Sequence, residues 1–125
     1  MNIKEGLLYS ASHEWVKVEG NIVLVGISDH AQHALGSVVF IELPKVGKSV
    51  KKGDAMGAVE SVKAASDVYT PISGKILEVN KDLEGNPELL NDDPYGSWIA
   101  KIELSNVEEL KSLLSPKDYA PYCEE

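Results

Sequence analysis

Glycine and proline recur so closely along this chain that little of it is left for a helix of ordinary length. Ten glycines and six prolines are spread over 125 residues. The runs between them are short and rich in Val, Ile and Tyr, the composition of strands bounded by turns. Tyr9 to Val18 ends in alternating apolar positions at Val16 and Val18, Glu19-Gly20-Asn21 supplies a turn, and Ile22 to Ile27 is apolar on both faces. The two runs predict an antiparallel hairpin. Ser28 or Asp29 then caps a helix of about two turns through Ala31, Gln32, Ala34 and Leu35, with Gly36 placed to stop it.

Val38 to Leu43 reads as a strand closed by Pro44, and Gly47, Gly53 and Asp54 cut the following stretch into very short strands. Lys75 to Asn80 and Ser97 to Leu104 read as strands, separated by a turn with one helical turn near Glu84 to Asn91 and a loop at Asp92 to Gly96. The segments Gly47 to Asp54 and Gly74 to Asp82 echo each other weakly, as two halves related across Lys63. Ser105 and Glu108 form a capping box for a C-terminal helix with Val107, Leu110, Leu113 and Leu114 on one face. Residues 1–8 carry no pattern. Many short strands with little helix predict a mainly β sandwich or flattened barrel with one short helix and a C-terminal helix.

At this length the chain is expected to form one domain over 1–125, with its core about 9–114 and a C-terminal helical segment about 105–120. A formal charge of −8 argues against nucleic acid and anionic membranes as partners and in favour of proteins. The single Cys123 cannot form an intrachain disulfide and reads as a mobile, reduced thiol near the terminus. No apolar run reaches membrane-spanning length, and the first residues have neither a signal-peptide stretch nor the arginine-rich character of a transit peptide. The expectation is a monomer in the cytoplasm.

The most informative residue is Lys63. Ala55 to Glu60 has no helical period, and Val68-Tyr69-Thr70 is β-branched and aromatic before Pro71, so the two form a hairpin with Lys63 near its tip. With twelve lysines and no arginine, a lysine taken alone is a solvated surface charge. Held out on a rigid hairpin, this one also suits reaction as a primary amine, reversibly with a carbonyl or permanently as an amide carrying a swinging group. Other chemistries lack their residues. His30 and His33 lie three apart on a short helix with no further ligand in sight, which predicts an exposed face and no metal. No nucleophile elbow or phosphate loop occurs, so no catalytic residue is assigned. Trp15 and Trp98 read as core or groove-wall aromatics.

The run Glu60-Ser61-Val62-Lys63-Ala64, with Gly53-Asp54 before it and Pro71 and Ser73-Gly74 after it, resembles the biotinyl/lipoyl carrier modules and, within them, the H proteins of the glycine cleavage system. His13-Glu14-Trp15, Leu35-Gly36, Val38-Val39-Phe40, Leu43-Pro44 and Asn91 to Gly96 extend the resemblance from Tyr9 to about Leu114. Biotin carriers flank their lysine with methionines and 2-oxoacid dehydrogenase lipoyl domains precede it with aspartate, whereas Val62 and Ala64 stand here. The family often has a longer link where this chain reads Gly96-Ser97-Trp98, and Pro121 should break any long terminal helix.

The resemblance implies a lipoyl-type sandwich and a non-catalytic carrier with lipoate attached as an amide to Lys63. It would shuttle the aminomethyl group of glycine from a pyridoxal-phosphate (PLP) glycine decarboxylase to a tetrahydrofolate-dependent aminomethyltransferase, and then be reoxidised by the FAD enzyme dihydrolipoamide dehydrogenase. The same resemblance implies Glu60 as a recognition residue for lipoate-attaching enzymes and Ser12, Glu14 and Asp67 as an arm-docking cleft; Glu14 or Asp67 would meet a cationic amine by charge-assisted hydrogen bonds. One alternative is a lipoyl relay donating lipoate to other carriers. Others are an enzyme using Lys63 as a Schiff-base amine, which acidic Glu60 and Asp67 disfavour by keeping the amine protonated, and an unmodified β-sandwich interaction module.

Overall fold

The computed structural model describes residues 2–123. Its strands are β1 (Leu8–Tyr9), β2 (Glu14–Glu19), β3 (Ile22–Ile27), β4 (Val38–Glu42), β5 (Ser49–Val50), β6 (Ala55–Ser61), β7 (Ala65–Tyr69), β8 (Gly74–Val79) and β9 (Ala100–Leu104). Four short helices join them: α1 (Asp29–Leu35), α2 (Asp82–Gly85), α3 (Leu89–Asp92) and α4 (Pro116–Tyr119). The strands make two antiparallel sheets, one of six in the order β1-β2-β3-β9-β8-β5 and one of three in the order β4-β6-β7. This is the mainly β sandwich read from the sequence.

The apolar patterning explains the packing. Val16, Val23, Val25, Ile76 and Ile102 from the large sheet, with Ile99 just before β9, meet Ile41, Val59 and Val68 from the small one, all buried in one core. Each such side chain contributes about 1.5–3 kcal/mol by leaving water. In the β2–β3 hairpin, Val16 pairs with Val25 and Trp15 with Gly26. The Trp15 ring occupies the space that a Cβ on Gly26 would fill, with ring atoms 2.6 Å from that position. Its indole N–H donates to Pro94 O at 3.0 Å, so Trp15 is a core residue with its polar atom satisfied.

Helix α1 begins and ends where expected. Ser28 Oγ accepts from the Ala31 N–H, and Gly36, at φ 79°, ends it by donating to Gln32 O at 3.0 Å. The two echoing segments pair with each other, Ser49 opposite Lys75 and Val50 opposite Gly74. Leu83 and Leu90, both fully buried, draw the turn region into two short helices, α2 and α3, in place of the single helical turn expected.

Both ends of the chain depart from the expectation. The patternless residues before Tyr9 include buried Leu7 and the start of β1, and a tight turn separates β1 from β2 within the stretch read as one strand. The C-terminal helical segment read at about 105–120 is divided into a 3₁₀ helix, Val107–Ser112, then α4, then a 3₁₀ turn over Ala120–Cys123 that contains Pro121. Asn106 caps the first of these in place of Ser105, its Oδ1 accepting from Glu108 N–H. The residue after Glu108 turns its side chain to the sheet, where Glu109 accepts from the N–H and hydroxyl of Ser73 at 2.7 and 2.8 Å. Leu114 bridges Tyr9 as a strand residue. Tyr119 is fully buried, so packing reaches beyond the 9–114 span at both ends. Cys123 is half-buried against the Tyr9–Tyr119 cluster, in contrast to the mobile thiol expected.

Candidate functional site

Lys63 sits at the tip of the β6–β7 hairpin, and the hairpin is pinned from three directions. Ser61 N–H donates to Ala64 O at 2.8 Å, and Ser61 Oγ accepts from the N–H groups of Lys63 and Ala64 at 3.3 and 3.1 Å. Val62 N–H donates sideways to Ser37 O at 3.0 Å, fastening the tip to the segment between α1 and β4. The lysine side chain is exposed and, among the described residues, makes no ion pair. Its stem lies over Gly36, where a Cβ would stand 3.3 Å from Lys63 Cε. Asn91 fixes Gly36 in turn, Nδ2 donating to Gly36 O at 2.8 Å while Oδ1 accepts from Val38 N–H at 2.8 Å. Glu60, exposed, pairs with Phe40 on one side and Ala65 on the other.

Beside the hairpin lies a cleft of about 270 Å³ between the β1–β2 turn, α1 and β7. Ser12, Glu14 and Asp67 all line it, so the three residues singled out in the sequence do converge. Their environments differ. Asp67 is exposed on β7, opposite Ala58. Glu14 is 2 % exposed, and both its oxygens are engaged: Oε1 accepts from Ser10 and Ser12 hydroxyls at 2.6 and 2.5 Å, and Oε2 accepts from Tyr69 N–H at 3.3 Å. Burial holds the Glu14 carboxyl above the ordinary glutamate range, although these bonds pull the other way. Ser12 therefore serves as a donor to Glu14 in addition to lining the cleft.

Two further cleft residues escape the sequence reading. His13 and His30 face each other with ring centroids 4.4 Å apart, both lining the cleft, while His33 is exposed elsewhere on α1. The i, i+3 spacing drew attention to the wrong pair. His13 has φ 74°, and its Nδ1 lies 2.6 Å from the Tyr119 hydroxyl. Burial and the neighbouring His30 lower the His13 pKa below its usual value. Among the described residues no group of three metal-ligating side chains occurs.

The family model described as "Glycine cleavage H-protein" matches residues 7–125. The chain belongs to this family. A glycine cleavage system H protein of Alkaliphilus oremlandii is 60 % identical over 124 residues, covering 99 % of this chain and 98 % of that one. A probable H protein of Thermococcus gammatolerans is 56 % identical over 98 % of this chain and 92 % of its own. The crystal structure of an H protein from Mycobacterium marinum superposes with a TM-score of 0.86 at 38 % identity, covering 94 % of this chain and 96 % of that one.

As a glycine cleavage H protein, the chain is the lipoyl carrier of its system and a non-catalytic component of it. The short Gly96-Ser97-Trp98 link is well anchored. Asp93 Oδ1 accepts from Gly96 N–H at 3.1 Å, and Ser97, 5 % exposed, donates to Leu89 O at 3.1 Å. Trp98 lies under Lys101, whose Nζ is 5.1 Å from the ring centroid. No helix among the described residues is long and apolar enough to cross a membrane.

Proposed function

We propose that Lys63 is the residue to which lipoate is joined, as an amide of its Nζ, and that the adjacent cleft receives the cationic cargo of the arm. The observation that carries this reading is the exposed Lys63 on a hairpin pinned by Ser61 and Ser37, one residue cluster away from a cleft holding Ser12, Glu14 and Asp67. The absence of a side chain on Gly36 leaves a track for the lysine stem, a local feature that fits a long modified arm. When bound, lipoate supplies a dithiolane that accepts the aminomethyl group of glycine and cycles between disulfide and dithiol.

The protein's own residues present and shelter that cargo. Ser61 limits motion of the hairpin backbone, so that mobility is confined to the side chain beyond Lys63 Cα. Glu60, exposed on β6 three residues before the lysine, offers a carboxylate to the lipoate-attaching enzymes. In the cleft, Asp67 presents an open carboxylate to a primary ammonium, and Glu14 a buried one already oriented by Ser10, Ser12 and Tyr69. A charge-assisted hydrogen bond of this kind is worth roughly 1.5–3 kcal/mol, enough to favour a docked arm about ten- to hundredfold without trapping it.

The partners in this reading are a PLP-dependent glycine decarboxylase, a tetrahydrofolate-dependent aminomethyltransferase and dihydrolipoamide dehydrogenase, visited in turn by a monomeric carrier. The bacterial relatives support a cytoplasmic setting. Reconstitution with those three enzymes tests it. Lipoylated wild-type protein should support glycine-dependent formation of ammonia, and Lys63→Arg should support none. Turnover at the wild-type rate with Lys63→Arg would overturn the assignment.

A further inference from the structure

The Tyr119 hydroxyl touches both walls of the cleft. It lies 2.6 Å from His13 Nδ1 and 2.8 Å from Ser28 Oγ. His13 belongs to the turn that carries Ser12 and Glu14. Ser28 caps α1, whose His30, Ala31 and Leu35 line the facing wall. One phenol thus adds a side-chain link between two elements that also meet through the Ser28 N–H bond to His13 O at 3.0 Å, and it arrives from α4, a C-terminal helix outside both sheets.

The joint is buried and directional. Tyr119 and Ser28 are both fully buried, and the Tyr119 ring stacks on Tyr9 with centroids 4.4 Å apart and planes 4° from parallel. Ser115 caps α4 by accepting from Asp118 N–H, with Pro116 as the first helical residue, which fixes where Tyr119 enters. One order of donors that satisfies this chain of groups has Ala31 N–H donating to Ser28 Oγ, Ser28 O–H to Tyr119 Oη, and Tyr119 O–H to the unprotonated Nδ1 of His13. Burial, which disfavours the His13 cation, agrees with that order.

The His13 backbone gives the joint something to hold. A φ of 74° is unfavourable for a residue with a side chain and persists only where the surroundings enforce it. Here His13 N–H donates to Ser10 O at 3.1 Å, His13 O accepts from Ser28 N–H at 3.0 Å, and Tyr119 secures the ring. The turn bearing Ser12 and Glu14 is thus held at this φ by two backbone bonds together with the Tyr119 contact.

We infer that Tyr119 is a positioning residue of the cleft, its hydroxyl setting the spacing between the Ser12–Glu14 turn and α1. In the carrier cycle this spacing governs how well the cleft closes around a cationic cargo, a consequence that rests on the docking reading above. The C-terminal segment is then a working part of the site.

The test begins with the unmodified chain, by amide hydrogen exchange. Tyr119→Phe keeps the ring and its stacking and removes only the hydroxyl. It should speed exchange at least about threefold at His13 and Glu14 on one wall and at Ala31 and Gln32 on the other, leaving the β6–β7 hairpin unchanged. His13→Asn, which tolerates a left-handed backbone, should speed exchange at Ala31 and Gln32 on the opposite wall. Unchanged exchange in both variants, a change confined to the mutated wall, or an even rise across both sheets would overturn the inference.

Lipoylated, aminomethyl-loaded protein then separates this inference from the reading beneath it. Glu14→Gln and Tyr119→Phe should both shorten the cargo lifetime severalfold in the absence of partner enzymes, with attachment at Lys63 retained. Shortening by Glu14→Gln alone would overturn the role of Tyr119. If neither Glu14→Gln nor Asp67→Asn shortened it, the docking reading would fall, and the exchange experiment alone would decide whether Tyr119 couples the walls.

Discussion

Lys63 lies directly over Gly36, with Cε 3.3 Å from the place a Gly36 Cβ would occupy. Two effects could make a side chain at Gly36 costly, crowding by the lysine and backbone strain, and their sizes differ. The lysine end is flexible and exposed, so it can move aside cheaply. The backbone cannot, because φ 79° and ψ −158° lie in a region that is essentially restricted to glycine and costs roughly 1–3 kcal/mol for other residues. Gly36→Ala should therefore lower the urea midpoint at unchanged slope by an amount corresponding to about 1–3 kcal/mol. Adding Lys63→Ala should recover almost none of it. Full recovery in the double variant would show that crowding dominates.

Glu14 gives a pH signature whose sign follows from its burial. Its folded pKa is raised above the ordinary glutamate value of 4.5, so the native state holds this proton more tightly than the unfolded chain does. The stabilisation is fully present below 4.5 and is lost as pH rises through the folded pKa. The side chain introduced by Glu14→Gln cannot ionise, and its amide can donate to the two serine hydroxyls while its oxygen accepts from Tyr69. Relative to that variant, wild type should therefore lose stability as pH is raised from about 4 toward neutrality, measured by urea unfolding at each pH. A difference that is flat over that window would contradict the account.

The strands, the two hairpins and α1 were legible because their signals are local: alternation, a Ser cap, a glycine stop. Lys63 was legible from the residues around it. The cleft was named by resemblance, since its members meet only through the fold; Glu14 and the Tyr69 N–H that it accepts from are 55 residues apart. The contact of Tyr119 with His13, 106 residues apart, gave no sequence signal, although His13 itself stands in the His13-Glu14-Trp15 run. The helix read from a Ser105 cap forms only as the 3₁₀ helix Val107–Ser112, for a competitive reason. Asn106 is a shorter route to the Glu108 N–H than a box built on Ser105, and the neighbouring Glu109 is taken up by Ser73, just before β8. Leu114, helical by spacing, bonds to Tyr9 N–H and O instead, because β1 needs a partner at that edge.

A net charge of −8 on a carrier that must meet several enzymes predicts steering by long-range attraction to basic surfaces. Stopped-flow association of the lipoylated protein with its partner enzymes should slow as ionic strength rises, because added salt shortens the screening length, to about 10 Å at 0.1 M. Dissociation should change much less. Association rates indifferent to salt would remove electrostatic steering from the account.

The most direct test of the carrier assignment is peptide mapping by mass spectrometry after expression in a host supplied with lipoate. Wild-type protein should carry a single lipoyl increment, all of it on the peptide containing Lys63. Lys63→Arg should carry none and, because the site is exposed, should unfold within about half a kcal/mol of wild type. A lipoyl increment on any other of the twelve lysines, or on the Lys63→Arg protein, would contradict the claim that this hairpin carries the arm.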